Sequence, residues 1–142
     1  MSEDPRGLIL AIDPGREKCG LAVVTQAGEV VVKAVVPRDR ITDEVRRILA
    51  AEAVGPIIVG DRTGSKAFRA EMGGLGLPSP EHPVVLVDEH LSSQEARLRY
   101  LREHPGRGFA RFLPLSLRFP DEPIDDYVAV ILVERYLAGR TR

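Results

Sequence analysis

Leu8-Ile-Leu-Ala-Ile-Asp13-Pro-Gly15-Arg-Glu-Lys-Cys-Gly20-Leu-Ala-Val-Val-Thr25 is the stretch on which the fold turns. Five apolar residues run up to one carboxylate, and Pro14-Gly15 then stops the run, so Leu8 to Asp13 reads as a short buried strand. Gly20 to Thr25 reads as a second strand. Ala27-Gly28 is a turn signal before Val30 to Val36, a third strand, and the opening is therefore an antiparallel meander.

Downstream the period changes. Thr42 is placed to cap a helix through about Ala53, with Val45, Ile48, Leu49 and Ala53 at helical spacing and Asp43 and Glu44 in the first turn. Pro56 ends that helix, and Ile57 to Val59 forms a short strand before Gly60-Asp61. A short helix over Lys66 to Met72 and a loop over Gly73 to Pro83 lead to a strand at Val84 to Val87. Ser92 and Glu95 have capping-box spacing for a helix to about Glu103. Arg107 to Pro123 is proline-marked loop, and a last helix starts at Asp125 or Asp126 and runs to about Leu137. Three antiparallel strands followed by strand–helix alternation predict an α/β fold with a mixed five-stranded sheet, right-handed crossovers and covering helices. With no repeat or linker, residues 1–142 read as one domain.

Composition narrows the function classes. Hydrophobic residues at 44% and charged residues at 29% describe a globular protein. The one cysteine, Cys19, has no internal partner, so a disulfide scaffold is excluded. Read as lying in a loop with no nearby His, Cys19 is a packing residue and not a nucleophile. No apolar run reaches the roughly 18 residues of a membrane span, and the acidic start has no signal-peptide pattern, so a cytoplasmic protein without membrane contact is expected. A net charge of −1 counts against a nucleic-acid partner. However, Arg97, Arg99, Arg102, Arg107, Arg111 and Arg118 face only Glu95 and Glu103, which gives this stretch a local positive balance. A solvated helix face explains those arginines equally well.

The carboxylates carry the chemistry. Asp13, Asp61 and Asp88-Glu89 all fall at the ends of strands, and Asp125-Asp126 opens an otherwise apolar helix. Ligands of open sheets bind at the carboxyl ends of strands. Each acid has an ordinary reading: Asp-Pro-Gly is a good turn, Asp88-Glu89 a solvated strand end, and Asp125 or Asp126 a helix cap. Against this, Asp125 shares a helix face with Val128, Ala129 and Leu132, a face that must be buried. Gathered carboxylates repel unless a cation or a shared proton intervenes. Oxygen-only donors suit Mg²⁺ or Mn²⁺, and two such ions are the usual apparatus for in-line attack on a phosphodiester. The candidate ligands are Asp13, Asp88, Glu89, Asp125 and Asp126, with Asp61 as a further candidate. Gly60-Asp-Arg-Thr-Gly64-Ser-Lys66 lacks the spacing of a Walker loop, and His82, His90 and His104 lack metal-ligand spacing.

Three segments together are fairly specific: Leu10 to Val24, Val87-Asp-Glu-His-Leu-Ser-Ser-Gln-Glu-Ala-Arg97, and Ile124-Asp-Asp-Tyr-Val-Ala-Val-Ile-Leu-Val-Glu-Arg-Tyr-Leu137. They resemble the YqgF (RuvX) family of the RNase H-like superfamily, which is related to RuvC resolvases, over about residues 8 to 138. The resemblance implies an RNase H-like fold and a metal-dependent nuclease, described for the family both as a Holliday junction resolvase and as a processing nuclease for precursor 16S rRNA. It puts catalytic roles on Asp13, on Asp88 or Glu89, and on Asp125. There are two departures: His90 stands where the family has Arg, which removes a fixed charge near the site, and the segment after the fourth strand is Gly60-Asp61-Arg62, with a shortened loop that bears on substrate preference.

The resulting expectation is hydrolysis of structured DNA or RNA, with nucleic acid gripped by Arg16, Lys18, Lys66, Arg97, Arg107 and Arg111. A homodimer would suit paired cuts at a junction, though no residue pattern shows one. The rival readings are a non-catalytic nucleic-acid-binding or assembly protein of the same fold and an actin-like phosphotransferase, which needs two such domains.

Overall fold

The structure, a computed structural model, describes residues 7–61, 64–90, 92–104 and 124–140. In chain order it contains β1 (Leu8–Asp13), β2 (Lys18–Thr25), β3 (Val30–Pro37), a 3-10 turn (Arg38–Arg40), α1 (Ile41–Ala51), β4 (Val54–Gly60), α2 (Ser65–Gly73), β5 (Val84–Val87), α3 (Ser92–Glu103) and α4 (Asp125–Arg140). The strands form one sheet in the order β3-β2-β1-β4-β5. The β1–β2 and β2–β3 pairs are antiparallel, and the β1–β4 and β4–β5 pairs are parallel. This is the mixed five-stranded sheet predicted from the sequence, with β1 at its centre.

Ile9 to Ile12 are fully buried because both faces of β1 are covered. Leu10 and Ile12 pack with Leu21, Ile57 and Val59 against Ile41, Val45 and Ile48 of α1 and Phe68 and Met72 of α2. Ile9 and Ala11 pack with Ala22, Val24 and Ile58 against Ala129, Leu132 and Val133 of α4. The other side of α4 meets α3, where Tyr127, Val128 and Ile131 contact Ala96, Tyr100 and Leu101. A helix buried on two sides needs no polar stripe, which accounts for the unbroken run Tyr127–Val133. Each fully buried Ile or Leu of this core contributes on the order of 2 kcal/mol. Among the described residues, no helix is long and apolar enough to cross a membrane.

Local details differ from the sequence reading. Thr42 is not a cap, because α1 begins at Ile41 directly out of the 3-10 turn and its N-cap Arg40 makes no side-chain capping bond. A preceding helical turn leaves no extended residue for a cap to occupy. The fourth strand starts at Val54, so Pro56 lies inside it. The β1–β4 register shifts between Leu8 and Leu10, which puts the residue that lacks an N–H where the ladder is already irregular. Cys19 belongs to β2 and not to a loop. The capping box at Ser92 is not formed: its Oγ is buried without a hydrogen bond, and its N–H donates to the Glu89 carbonyl at 2.9 Å. The predicted loop over residues 107–123 lies outside the described residues.

Candidate functional site

The sheet register sets Asp13 between two glycines. Asp13 pairs with Gly20 of β2. On the other side Ile12 pairs with Val59, so the next step along the register sets Asp13 beside Gly60 of β4. All three continue the alternation of Ile9 and Ala11, Ala22 and Val24, and Ile58, and therefore face α4. Asp13 is 3% exposed there, at the carboxyl end of the central strand. The chain leaves it through a tight turn in which a Cβ on Gly15 would collide with the Lys18 carbonyl.

Neither glycine leaves empty space. A Cβ on Gly60 would land on the Glu89 carboxyl group, and a Cβ on Gly20 would land on the Asp125 carbonyl. Strands are about 4.8 Å apart. The Glu89 carboxyl and the Asp125 backbone thus each lie about one strand spacing from the Cβ of Asp13, on opposite sides. Sequence reasoning singled out neither Gly20 nor Gly60 for this purpose. The signal was present, since an isolated glycine in an apolar strand marks close approach by another group.

On the β4 side the structure separates the pair Asp88-Glu89. Glu89 is 4% exposed, whereas Asp88 is exposed and its Oδ1 accepts the His90 N–H at 2.8 Å. Asp88 and His90 line an open cleft of about 590 Å³ with Leu86, Arg135 and Tyr136. Arg135 donates to the Asp88 carbonyl at 2.8 Å and to Glu95 at 3.0 Å. Asp61, exposed, does not lie idle: its Oδ1 accepts the Glu89 N–H at 3.1 Å, and its own N–H donates to the Val87 carbonyl at 3.2 Å.

On the β2 side Asp125 and Asp126 diverge. Asp125 Oδ2 lies 3.9 Å from Lys18 Nζ, beside the β1–β2 turn. Asp126 is taken up elsewhere, with Oδ2 3.7 Å from Lys33 Nζ on β3 and Oδ1 accepting the Tyr127 N–H at 3.0 Å. Lys33 also sits over the Tyr127 ring. Burial pushes the Cys19 thiol up, and Asp13 and Asp125 both add to that shift.

Of the predicted basic residues, Arg16 is exposed on the turn after Asp13 and Lys18 is exposed at the start of β2. Lys66 is exposed in the first turn of α2, where a Cβ on the preceding Gly64 would come into van der Waals contact with the Pro14 carbonyl. Arg97 is half-buried on α3. Arg107 and Arg111 lie outside the described residues.

Among the described residues, no three His, Cys, Asp or Glu side chains stand as a ready-made cluster for a metal ion. The structure instead brings Glu89 to Asp13 as a buried pair and holds Asp125 at the rim by Lys18, while Asp61, Asp88 and Asp126 have other engagements. The donor set around Asp13 is oxygen-only, which fits Mg²⁺ or Mn²⁺ and not Zn²⁺. The glycine cradle at Gly60 exists to admit a carboxylate beside Asp13 and fits the same group.

A protein of Xanthomonas euvesicatoria pv. vesicatoria (strain 85-10) named "Putative pre-16S rRNA nuclease" is 31% identical to the chain over 147 residues, covering 95% of the chain and 90% of that protein. A solved structure, T. thermophilus RuvC in complex with a Holliday junction substrate, matches with a TM-score of 0.57 at 18% identity, over 94% of this chain and 95% of that one. At that identity the likeness is one of fold. No protein-family model matches the chain. Identity over nearly the whole length, together with the likeness of fold to RuvC, shows that the chain belongs to the YqgF (RuvX) family and has the RNase H-like fold.

Proposed function

We propose that the chain is a metal-dependent nuclease that hydrolyses phosphodiester bonds in structured nucleic acid, either precursor rRNA or junction DNA. The observation that carries this reading is the Glu89 carboxyl lodged in the Gly60 slot next to Asp13, at the carboxyl end of the central strand. The relative's name supports the activity, and the RuvC fold supports the class of polymer. Asp13, Glu89 and Asp125 would hold Mg²⁺ or Mn²⁺. Such ions, when bound, would supply activation of the attacking water and charge stabilisation at the leaving oxygen. Asp13, fixed by the strand, orients the centre, and Glu89 brings the second buried carboxylate. Asp125, paired with Lys18, supplies a third at the solvent side. Arg16, Lys18 and Lys66 offer positive charge to the phosphates around the mouth, and Arg97 extends it along α3.

The test is cleavage of four-way junction DNA and of structured RNA, each with and without Mn²⁺. Wild type should cut at least one of them only with the ion. Asp13→Asn should abolish cutting, with a melting temperature within a few degrees of wild type. If the variant cuts as fast as wild type, Asp13 is not the centre. If wild type binds these polymers but never cuts them, the protein is the non-catalytic binding module instead.

A further inference from the structure

Glu89 reaches Asp13 from a distance, because it follows β5, and β4 lies between β5 and β1. A side chain that must cross a neighbouring strand needs both room and a fixed starting point. Gly60 supplies the room by lacking a Cβ where the Glu89 carboxyl lies. The next residue, Asp61, supplies the starting point, since its Oδ1 accepts the Glu89 N–H at 3.1 Å while its own N–H is bonded to the Val87 carbonyl at 3.2 Å. Two hydrogen bonds from one residue thus bracket the β5–α3 turn on both sides of Asp88. From within the turn, the Ser92 N–H donates to the Glu89 carbonyl at 2.9 Å.

We infer that Gly60-Asp61 is a receptacle for Glu89: β4 contributes no ligand of its own but imports one from the turn after β5, and Asp61 acts as the positioning residue that fixes its backbone. This rests on the nuclease reading for its consequence and on the hydrogen bond alone for its mechanism. It assigns to Asp61 a role other than metal ligand. An acceptor oxygen is what the Glu89 N–H needs, and an amide oxygen serves as well as a carboxylate one, whereas a ligand needs the negative charge.

That difference sets the experiment. Asp61→Asn keeps the acceptor and drops the charge, and Asp61→Ala drops both. Mn²⁺ affinity of the full chain is measured by calorimetry, and exchange of the Glu89 amide proton is followed by NMR. Asp61→Asn should bind Mn²⁺ and cleave within about threefold of wild type, whereas Asp61→Ala should lose about 10- to 100-fold in Mn²⁺ affinity, the usual range for residues that hold a ligand in place. Only Asp61→Ala should speed exchange at the Glu89 amide. Equal damage in both variants would make Asp61 a ligand and overturn the inference, as would unchanged exchange in Asp61→Ala. If wild type binds no Mn²⁺ at all, the nuclease reading falls, and the amide exchange still decides whether the clamp exists.

Discussion

The two flanks of Asp13 solve one problem by opposite means. On each side a strand glycine gives up its Cβ position to an incoming group. At Gly60 the group is the far end of a side chain, and at Gly20 it is the backbone of a helix. A carboxylate tip can swing away from an obstacle, but the first turn of α4 cannot. That turn is tied to the rest of a helix buried between the sheet and α3. The Glu89 flank can therefore give way and the Asp125 flank cannot, although each brings an acidic residue to the same strand end.

Adding one methyl group on each side separates them. Gly20→Ala should cost about 3 kcal/mol of unfolding free energy, at the upper end of ordinary overpacking, because the Asp125 carbonyl and the Asp126 nitrogen would have to move with the helix. Denaturant titration measures it, and a loss below about 1 kcal/mol would mean that α4 can slide. Gly60→Ala should leave stability within about 1 kcal/mol, since a strand alanine is itself mildly favourable and Glu89 can rotate out. Its Mn²⁺-dependent cleavage should fall at least about 100-fold, the upper end of the loss seen when only a ligand's supporting residue is removed. Full activity in Gly60→Ala would remove Glu89 from the centre. The contrast fails if the two alanines do the same damage.

The contrast also marks what the sequence alone makes legible. The order of strands can be read because each apolar run is punctuated, by Pro14-Gly15, by Ala27-Gly28 and by Gly60-Asp61. The strand-end positions of Asp13, Asp61 and Glu89 follow from that punctuation. Which of Asp88 and Glu89 turns inward cannot be read, because it is decided by a missing Cβ at Gly60 and by a hydrogen bond to Asp61, 28 residues back. Likewise Asp125 and Asp126 are chemically identical neighbours, and their different ion-pair partners, Lys18 on β2 and Lys33 on β3, lie far away in the sequence. Thr42 is misread as a cap for a related reason. A cap depends on the conformation of the residues before it, and at Thr42 the preceding 3-10 turn had already set that conformation.

If docking governs the Asp125 flank, weakening the seat of α4 away from Asp13 should be felt mildly and in a pH-dependent way. Tyr127, two residues past Asp125, donates its hydroxyl to Glu103 of α3 at 2.9 Å. Burial first, and then that bond to Glu103, push the tyrosine up to about 12 from its usual 10. The raised value means that folding favours the protonated phenol. This contribution is fully present below about pH 10 and is lost as pH rises through about 12, on the order of 2 kcal/mol over the interval. Tyr127→Phe keeps the ring but removes the donor, so it should lower stability by about 1 kcal/mol at pH 8. It should also flatten the decline of stability between pH 10 and 12, both read from urea titrations across that range. Cleavage should drop only a fewfold, because the helix remains packed through Val128 and Ile131. A variant as steeply alkali-sensitive as wild type would show that another group governs the limb, and that α4 is not held at its first turn by this bond.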